Sequence, residues 1–414
     1  MMKHALTSTA LALTLASGVQ ADELRVSWWG GDSRHTVTQE ALAYCGPKVG
    51  HTTKAEFMGF EGYLERLTTQ LAGGTEADIV QVDWPWLYQF SQDGTGFADL
   101  RDHADVIDLT QWSEDQLRPA EMNGHLNGLP ASITGAVMFY NEAAFTSRGL
   151  EVPKTWDDLA AAAKVFNADG GYPIDATKVI LMFLIESFAA QSAGKEIVDP
   201  ETGELAWTAE DLTKALNQYQ WMVDNGIVRP WKEAAAAGNI EVFDDPAWAS
   251  GKLGGTYFWT STYSKFNDPL TEGSLVPAAP LRIEGAQSDG IYRKPSMLFA
   301  ISKNAQNPKA AAQLLNCLMT DPQAIAILGD SRGLPASAVG LKTLNDAGKV
   351  TPVQQEAARI VAEATGPVMS PVIEHPSVQE VLRDNLEQFA YGQMTVEEAA
   401  ETIISDLERA LRRL

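Results

Sequence analysis

Hydrophobic and polar positions alternate in two ways along the first part of the chain. Runs rich in β-branched and aromatic residues, ELRVSWW (23–29), TTKAEFM (52–58) and ADIVQVD (77–83), predict three strands. Between them, RHTVTQEALAYC (34–45) and GYLERLTTQLAGG (62–74) place apolar residues at helical spacing. Strands that alternate with helices indicate parallel βαβ units, so the pattern predicts an α/β fold.

A second α/β region comes next along the chain. GLPASITGAVMFYN (128–141) predicts a strand, and PKTWDDLAAAAKVF (153–166) predicts a helix that Thr155 caps. SMLFAIS (296–302) is typical of a buried strand, and NPKAAAQLLNCLM (307–319) of a helix. With 414 residues, the chain exceeds what one hydrophobic core usually serves, so two lobes are expected.

The first residues have the order of a secretory signal. Lys3 precedes an apolar run over residues 5–15, and small residues follow, ending in Val19-Gln20-Ala21. This order predicts a signal peptide over residues 1–21 and a periplasmic product, the alternative being a buried N-terminal helix. No later run approaches the roughly 20 apolar residues that a membrane span needs, since Glu186 interrupts VILMFLI (179–185).

The net charge limits the expected binding partners, and the cysteine content bears on the cellular compartment. The net charge is −23, from 54 acidic and 31 basic residues, which disfavours nucleic acid and anionic membranes as partners. Cys45 and Cys317 are the only cysteines. An oxidising compartment permits a disulfide between them, and the alternative is two buried thiols that act as small hydrophobes.

Motifs for catalysis or metal binding are absent from the sequence. The six histidines are scattered without i, i+4 pairs, so neither a metal nor another cofactor is expected. Ser33 and His35 are close in sequence, but that spacing alone does not make a nucleophile and its base. Asp32, Glu61 and Asp83 could converge as carboxylates, which leaves a glycosidase open as an alternative to a protein that is not an enzyme.

Aromatic residues dominate the predicted carboxyl ends of the strands. SWWGGDSRH (27–35) and VDWPW (82–86) fall at the sheet edge where α/β folds bind ligands. Tryptophan rings suit the apolar faces of sugars, although these tryptophans could also fill cores. Because neighbouring strand residues point to opposite faces, we expect Trp28 in the core and Trp29 at the ligand.

Several segments in this order resemble the family 1 extracellular solute-binding proteins that serve ABC sugar importers. They are SWWGGDSRH, LTTQLAGGTEADIVQVDW, NGLPASITGAVMFYN, PKTWDDL, KPSMLFAIS and NPKAAAQLL, and the match runs over essentially the whole mature chain. Within the family, WWGG-x-x-RH, LTTQ-x-AGGTE and GTYFW-x-ST look closest to the oligogalacturonide-binding branch, while neighbouring branches take neutral oligosaccharides.

The resemblance implies a two-lobe periplasmic binding protein-like α/β fold that closes around a sugar in the cleft. Lobe one would comprise 22–134 plus 297–336, and lobe two 137–294 plus 339–414. The expected partners are an oligosaccharide, with one that contains uronate favoured over a neutral one, and an inner-membrane ABC permease with its ATPase; a monomer is expected. The alternatives are a neutral mono- or oligosaccharide as ligand, an exported carbohydrate-active enzyme, and an adhesive surface module without a small-ligand cleft.

The resemblance also places the binding positions of the family on this chain. They are Trp29, Gly30, Asp32, Ser33 and Arg34 after the first strand, Asp83, Trp84 and Trp86 after the third, Thr134 at a crossing between lobes, and Tyr257, Trp259 and Ser261 in lobe two. Phe60-Glu61 stands where relatives often have Trp-Asp, so Glu61 keeps a carboxylate on a longer side chain. Lys294 and Arg332 are further candidates to bind a uronate carboxylate, the alternative being exposed, solvated charges.

Overall fold

The computed structural model describes residues 23–199, 202–238, 240–367 and 369–414. The predicted signal peptide lies outside them. The strands are β1 (Glu23–Trp29), β2 (Thr52–Met58), β3 (Ile79–Val82), β4 (Glu121–Met122), β5 (His125–Leu126), β6 (Leu129–Asn141), β7 (Gly255–Trp259), β8 (Leu275–Ala278) and β9 (Arg293–Ile301).

Helices cover most of the remaining described chain. They are α1 (Asp32–Lys48), α2 (Tyr63–Gly73), α3 (Trp86–Ser91), α4 (Glu114–Leu117), α5 (Glu142–Thr146), α6 (Trp156–Asn167), α7 (Val179–Ala193), α8 (Ala209–Asp224), α9 (Trp231–Ala236), α10 (Pro246–Ala249), α11 (Tyr263–Asn267), α12 (Pro308–Thr320), α13 (Pro322–Leu328), α14 (Ala338–Asp346), α15 (Pro352–Ala362), α16 (Pro376–Ala390) and α17 (Val396–Leu411).

One sheet, in the order β2-β1-β3-β9-β6-β7, runs through the molecule, and β8 pairs with β6. The prediction of parallel strands is confirmed for β1, β2 and β3. The next two pairings in the sheet are antiparallel, since β9 is antiparallel to β3 and β6 is antiparallel to β9. The reason is topological: β9 returns to the first three strands from the far side of the molecule, so it enters the sheet in the opposite direction.

Strand β6 joins the two lobes of the α/β fold that the resemblance implied. Its first half pairs with β9, from Leu129 opposite Phe299 to Gly135 opposite Arg293. From Ala136 onward it pairs with β7 and then β8. The lobe boundaries stay a prediction, although α14 packs on α12 and α13, which argues for placing α14 with lobe one.

A disulfide links two helices of the first lobe. Cys45 in α1 and Cys317 in α12 are bonded, with their Cα atoms 5.9 Å apart, so the predicted pairing is confirmed. Trp28 is fully buried in the core of the same lobe, as predicted, and its indole Nε1 donates to His35 Nδ1 at 3.1 Å.

Side-chain caps fix where several helices begin. Thr155 caps α6 as predicted, in a reciprocal pair with Asp158. Helix α7 is buried on all sides from Ile180 to Ser192, which explains its continuous apolar sequence. Within the described ranges, none of the helices combines the length and the apolar character that a bilayer crossing demands.

Candidate functional site

The loop between β1 and α1 is built around one arginine. Arg34 folds back so that its Nη1 donates to the carbonyl oxygen of Trp29 at 3.1 Å, and its Nε donates to the carbonyl oxygen of Ser331 at 2.9 Å. A Cβ on Gly30 would lie 2.6 Å from Arg34 Cδ, so glycine allows this close approach. Burial lowers the pKa of the Arg34 guanidinium.

A cavity of about 680 Å³ opens beside this loop. Its walls come from β9 (293–297), the loop 330–336, the segment 260–264 after β7, and one face of α15. Four of the residues selected from the sequence line it, namely Arg34, Ser261, Lys294 and Arg332. The crossing strands thus form the floor of the cavity, between the two lobes.

Three guanidinium groups line this cavity without a carboxylate partner. In the part of the chain that the structure describes, no Asp or Glu lies within ion-pair distance of Arg34, Arg293 or Arg332. Two carboxylates reach the lining: Asp115 is paired with Arg118, and Asp330 accepts a hydrogen bond from Gln354. The cavity wall therefore carries an excess of positive charge.

Arg332 is the most buried of the three. It is 7% exposed, its Nε donates to Gln81 Oε1 at 2.8 Å, and its Nη1 donates to Thr38 Oγ1 at 2.9 Å. Its Nη2 is without a hydrogen-bond partner among the described residues. Burial, aided by the charge of Arg34, lowers the pKa of Arg332 to about 9. The alternative of an exposed, solvated charge is wrong for this residue.

Arg293 is the residue that sequence reasoning missed. It begins β9, lines the cavity, and donates through Nη2 to the carbonyl oxygen of Gly366 at 3.1 Å, while its buried Nε has no partner within the described ranges. Its position next to Lys294, which was already selected from the sequence, was the available signal.

Lys294 is already paired with a carboxylate of the protein itself. Its ammonium forms an ion pair with Glu374, and only 11% of its side chain is exposed, so the alternative of a solvated surface charge is wrong here too. The ammonium also lies 4.6 Å from the ring centroid of Trp259 and 6.0 Å from that of Trp84. Because Glu374 already neutralises it, Lys294 is less suited than the unpaired arginines to bind a uronate carboxylate.

Asp83 belongs to the same neighbourhood. Its Oδ1 accepts a hydrogen bond from the backbone N–H of Trp84 at 3.0 Å. Burial raises the pKa of the Asp83 carboxyl to about 6, with Lys294 acting in the opposite direction and Glu374 adding to the rise.

The aromatic part of the predicted site is packed together and does not line the cavity. Trp29 is 7% exposed, and its ring centroid lies 5.2 Å from those of Tyr63 and Trp86 and 5.7 Å from that of Phe60. Phe60 covers this aromatic cluster and is 56% exposed. Trp84 and Trp259 are also buried.

The remaining selected residues fall into two groups. Thr134 and Tyr257 are buried, and the Thr134 hydroxyl lies 3.1 Å from that of Thr260 and 3.2 Å from that of Ser261, at the lobe junction. Asp32, Ser33 and Glu61 are exposed and lie outside the cavity lining, and Gly30 is half-buried. Ligand contact by each of these residues stays a prediction.

Residues 42–349 match the family model described as bacterial extracellular solute-binding protein. The chain belongs to this family. A putative binding protein of Brucella abortus (strain 2308) is 27% identical over 304 residues, which cover 71% of this chain and 72% of the relative. The sequence resemblance to solute-binding proteins is thereby confirmed.

Several solved structures are similar to this solute-binding protein over nearly its whole length. A periplasmic oligogalacturonide-binding protein from Yersinia enterocolitica is 34% identical, with a TM-score of 0.83, over 95% of this chain and 99% of that one. Its complex with saturated digalacturonic acid gives 35% identity and a TM-score of 0.81, over 94% and 99% of the two chains. A protein described as a de novo designed cysteine esterase is 34% identical, with a TM-score of 0.87, over 96% and 99%.

Proposed function

We propose that this solute-binding protein captures an acidic oligosaccharide, one that contains uronate, in the periplasm. The cleft closes on the sugar, and the protein, acting as a monomer, delivers it to an ABC permease in the inner membrane. The observation that carries the proposal is the set of three guanidiniums, Arg34, Arg293 and Arg332, that line the cavity without a carboxylate partner among the described residues. In a chain with 54 acidic residues, such a set favours an anionic ligand.

The acidic surface does not oppose this proposal at close range. A net charge of −23 repels an anion at a distance, but at physiological ionic strength charges beyond about 8 Å are largely screened. Inside the cavity, the nearest charges determine whether an anion is attracted or repelled. A guanidinium presents N–H donors in a fixed planar arrangement that matches the two oxygens of a carboxylate. Arg34 is already oriented by its two backbone acceptors, so little side-chain entropy remains to be lost on binding.

The similarity to the oligogalacturonide-binding protein of Yersinia enterocolitica supports the same ligand class, since galacturonate carries a carboxylate on each ring. A neutral mono- or oligosaccharide is the second candidate. The buried tryptophans Trp29 and Trp86 favour it, because they could serve as sugar platforms once the aromatic cluster opens.

An enzymatic role has less support. The designed cysteine esterase with a similar structure raises the question of a thiol nucleophile, but Cys45 and Cys317 are the only cysteines and are bonded to each other. A purely adhesive module would not need a cavity of about 680 Å³ between lobes. Incubation with oligosaccharides followed by product analysis tests the point, and reproducible cleavage would contradict a binding protein.

A thermal-shift screen of neutral and uronic oligosaccharides tests the ligand class. A ligand at 100 times its dissociation constant stabilises the fold by ~2.7 kcal/mol, which is easily measured. We expect digalacturonate to raise the melting temperature and its neutral counterpart, digalactose, to have little effect. If only neutral sugars raise it, the uronate proposal is wrong and the sugar-binding proposal stands. Delivery is tested by import of labelled oligosaccharide in cells with and without this chain.

A further inference from the structure

Two neutral side chains hold the guanidinium of Arg332. The amide oxygen of Gln81, on β3, accepts a hydrogen bond from its Nε at 2.8 Å, and the hydroxyl of Thr38, on α1, accepts one from its Nη1 at 2.9 Å. Its Cζ lies over the ring of Phe299, 5.1 Å from the centroid, and Phe299 is paired with Gln81 across the sheet. All these side chains are buried. An arginine is rarely buried in this way without a carboxylate partner.

The same two side chains also bond to the backbone around Arg34. The amide nitrogen of Gln81 donates to the carbonyl oxygen of Trp29 at 3.4 Å, and that oxygen also accepts a hydrogen bond from Arg34 Nη1 at 3.1 Å. The Thr38 hydroxyl donates to the carbonyl oxygen of Arg34 at 2.7 Å. Together with Arg332, these residues close a hydrogen-bonded ring that contains two guanidiniums and whose other groups are neutral.

The ring fixes the orientation of both neutral side chains. A guanidinium only donates and a backbone carbonyl only accepts, so the Gln81 amide must turn its oxygen to Arg332 and its nitrogen to Trp29. The Thr38 hydroxyl accepts on one side and donates on the other, as only a hydroxyl can. Both side chains therefore orient Arg332 without adding a negative charge.

The charge of Arg332 stays uncompensated within the described part of the chain. No carboxylate there lies within ion-pair distance of it, and its Nη2 has no hydrogen-bond partner there. Burial and the charge of Arg34 lower its pKa to about 9, while Tyr63 acts in the opposite direction. A carboxylate in place of either neutral side chain would supply the missing charge from within the protein, as Glu374 does for Lys294.

We propose that Gln81 and Thr38 are positioning residues that give the cavity its preference for an anionic ligand. They orient the guanidiniums of Arg332 and Arg34 and leave the positive charge available to the ligand. Neither residue lines the large cavity, so both act through the arginines rather than by touching the sugar. The inference rests on the proposed function, since it concerns the preference for uronate in the same cavity.

Gln81→Glu tests the proposal, because it changes the charge with almost no change in shape. The new carboxylate can still accept from Arg332 Nε, but it neutralises the guanidinium. We expect the affinity for digalacturonate, measured by calorimetry, to fall at least about tenfold and to depend less on salt. Gln81→Met, which has a similar volume and no charge, should lose some affinity and keep the salt dependence. Unchanged affinity and salt dependence in Gln81→Glu would overturn the proposal.

Urea unfolding of ligand-free Gln81→Glu tests the charge of Arg332 without any sugar. An unneutralised guanidinium holds the pKa of the introduced carboxylate below its unfolded value of about 4.3. Its stabilising contribution is then present above that value and is lost as the pH falls through the folded pKa. The free energy of unfolding, relative to the unaltered protein, should therefore be lower at pH 3.5 than at pH 7. A flat profile, or the reversed one that burial beside a neutral group would give, would overturn the proposal.

Failure of the proposed function would look different. An unaltered protein that does not bind digalacturonate would contradict the uronate proposal, whereas the unfolding profile would still decide whether Gln81 leaves Arg332 unneutralised.

Thr38→Val provides a test that introduces no charge. It removes the acceptor for Arg332 and the donor to the Arg34 carbonyl with little change in volume, so we expect digalacturonate affinity to fall several-fold. Thr38→Ser keeps the hydroxyl and should keep the affinity. Thr36→Val is the matched control, since Thr36 is exposed on the same helix and its hydroxyl donates to the Asp32 carbonyl oxygen at 3.0 Å. Affinity that is retained in Thr38→Val, or lost equally in Thr38→Ser, would overturn the proposal.

Discussion

Arg34 and Ser331 are 297 positions apart in the chain, yet the guanidinium Nε of Arg34 donates a 2.9 Å hydrogen bond to the Ser331 carbonyl oxygen. With Nη1 bonded to the Trp29 carbonyl oxygen, two of the nitrogens are fixed by backbone acceptors. This arrangement holds a positive charge at the cavity wall before any ligand arrives. It also connects the loop after β1 with the loop between α13 and α14.

Replacement of Arg34 by alanine should weaken binding of a uronate more than binding of a neutral analogue. A hydrogen bond to a charged group contributes about 1.5–3 kcal/mol, so we expect roughly a 10- to 100-fold loss in affinity for digalacturonate by calorimetry. Arg383→Ala is the matched control, because it removes the same charge at an exposed position on α16. An equal loss in both variants would mean that only net charge matters.

Gly30→Ala tests the close approach of the loop to Arg34. The new Cβ would meet Arg34 Cδ at 2.6 Å, so the side chain must shift away from its backbone acceptors. We expect uronate affinity to fall several-fold with little change in the melting temperature. Gly31→Ala is the control, since a Cβ there meets nothing within 4 Å. Unchanged affinity in Gly30→Ala would show that the position of Arg34 is not important for binding.

Local sequence patterns were sufficient for the first strands and several helices, and insufficient for the way these elements assemble. β1 and β2 have the predicted bounds because each run of β-branched and aromatic residues is followed by a glycine. Thr155 caps its helix as predicted because its partner is only three residues away in sequence. The direction of β9 depends on the route of the chain between lobes, which no local pattern records.

In the candidate site, too, the sequence identified individual residues but not the contacts that they make with distant parts of the chain. The family resemblance located Arg34 and suggested Arg332 as a further candidate, but their lack of carboxylate partners among the described residues depends on segments far away in sequence. Lys294 looked equivalent to them until Glu374, 80 positions later, was seen to neutralise it. Trp29 is enclosed by rings from three other positions, which explains why its strand-end location alone did not predict its burial.

Removal of the Cys45–Cys317 bridge should destabilise the first lobe. The bonded residues are 272 positions apart, and in the chain-entropy model a closed loop of this size restricts the unfolded chain by about 5 kcal/mol. Urea unfolding of Cys45→Ala/Cys317→Ala should show a loss of this order. Thiol titration of the denatured, unreduced protein is the companion measurement, and we expect no free thiol. Two free thiols would contradict the bridge.

Glu196 should make the stability of the fold fall as the pH rises. Burial raises the pKa of its carboxyl to about 8, although backbone N–H groups of Val198 and Ile197 act in the opposite direction. The unfolded chain has a pKa near 4.3, so the folded state holds this proton more tightly. The stabilising contribution is therefore complete below about pH 4 and is lost as the pH rises through 8, with a slope of up to about 1.4 kcal/mol per pH unit.

The comparison of Glu196→Gln with the unaltered protein isolates this group from the other buried carboxyls, whose titration is common to both. We expect the free energy of unfolding of the variant, relative to the unaltered protein, to be higher at pH 8 than at pH 5, because glutamine needs no proton to stay neutral. Glu65→Gln, at an exposed position on α2, should leave this difference flat. Urea unfolding at several pH values measures both. A difference for Glu196→Gln that is equally flat would mean that its carboxyl remains ionised in the fold at neutral pH.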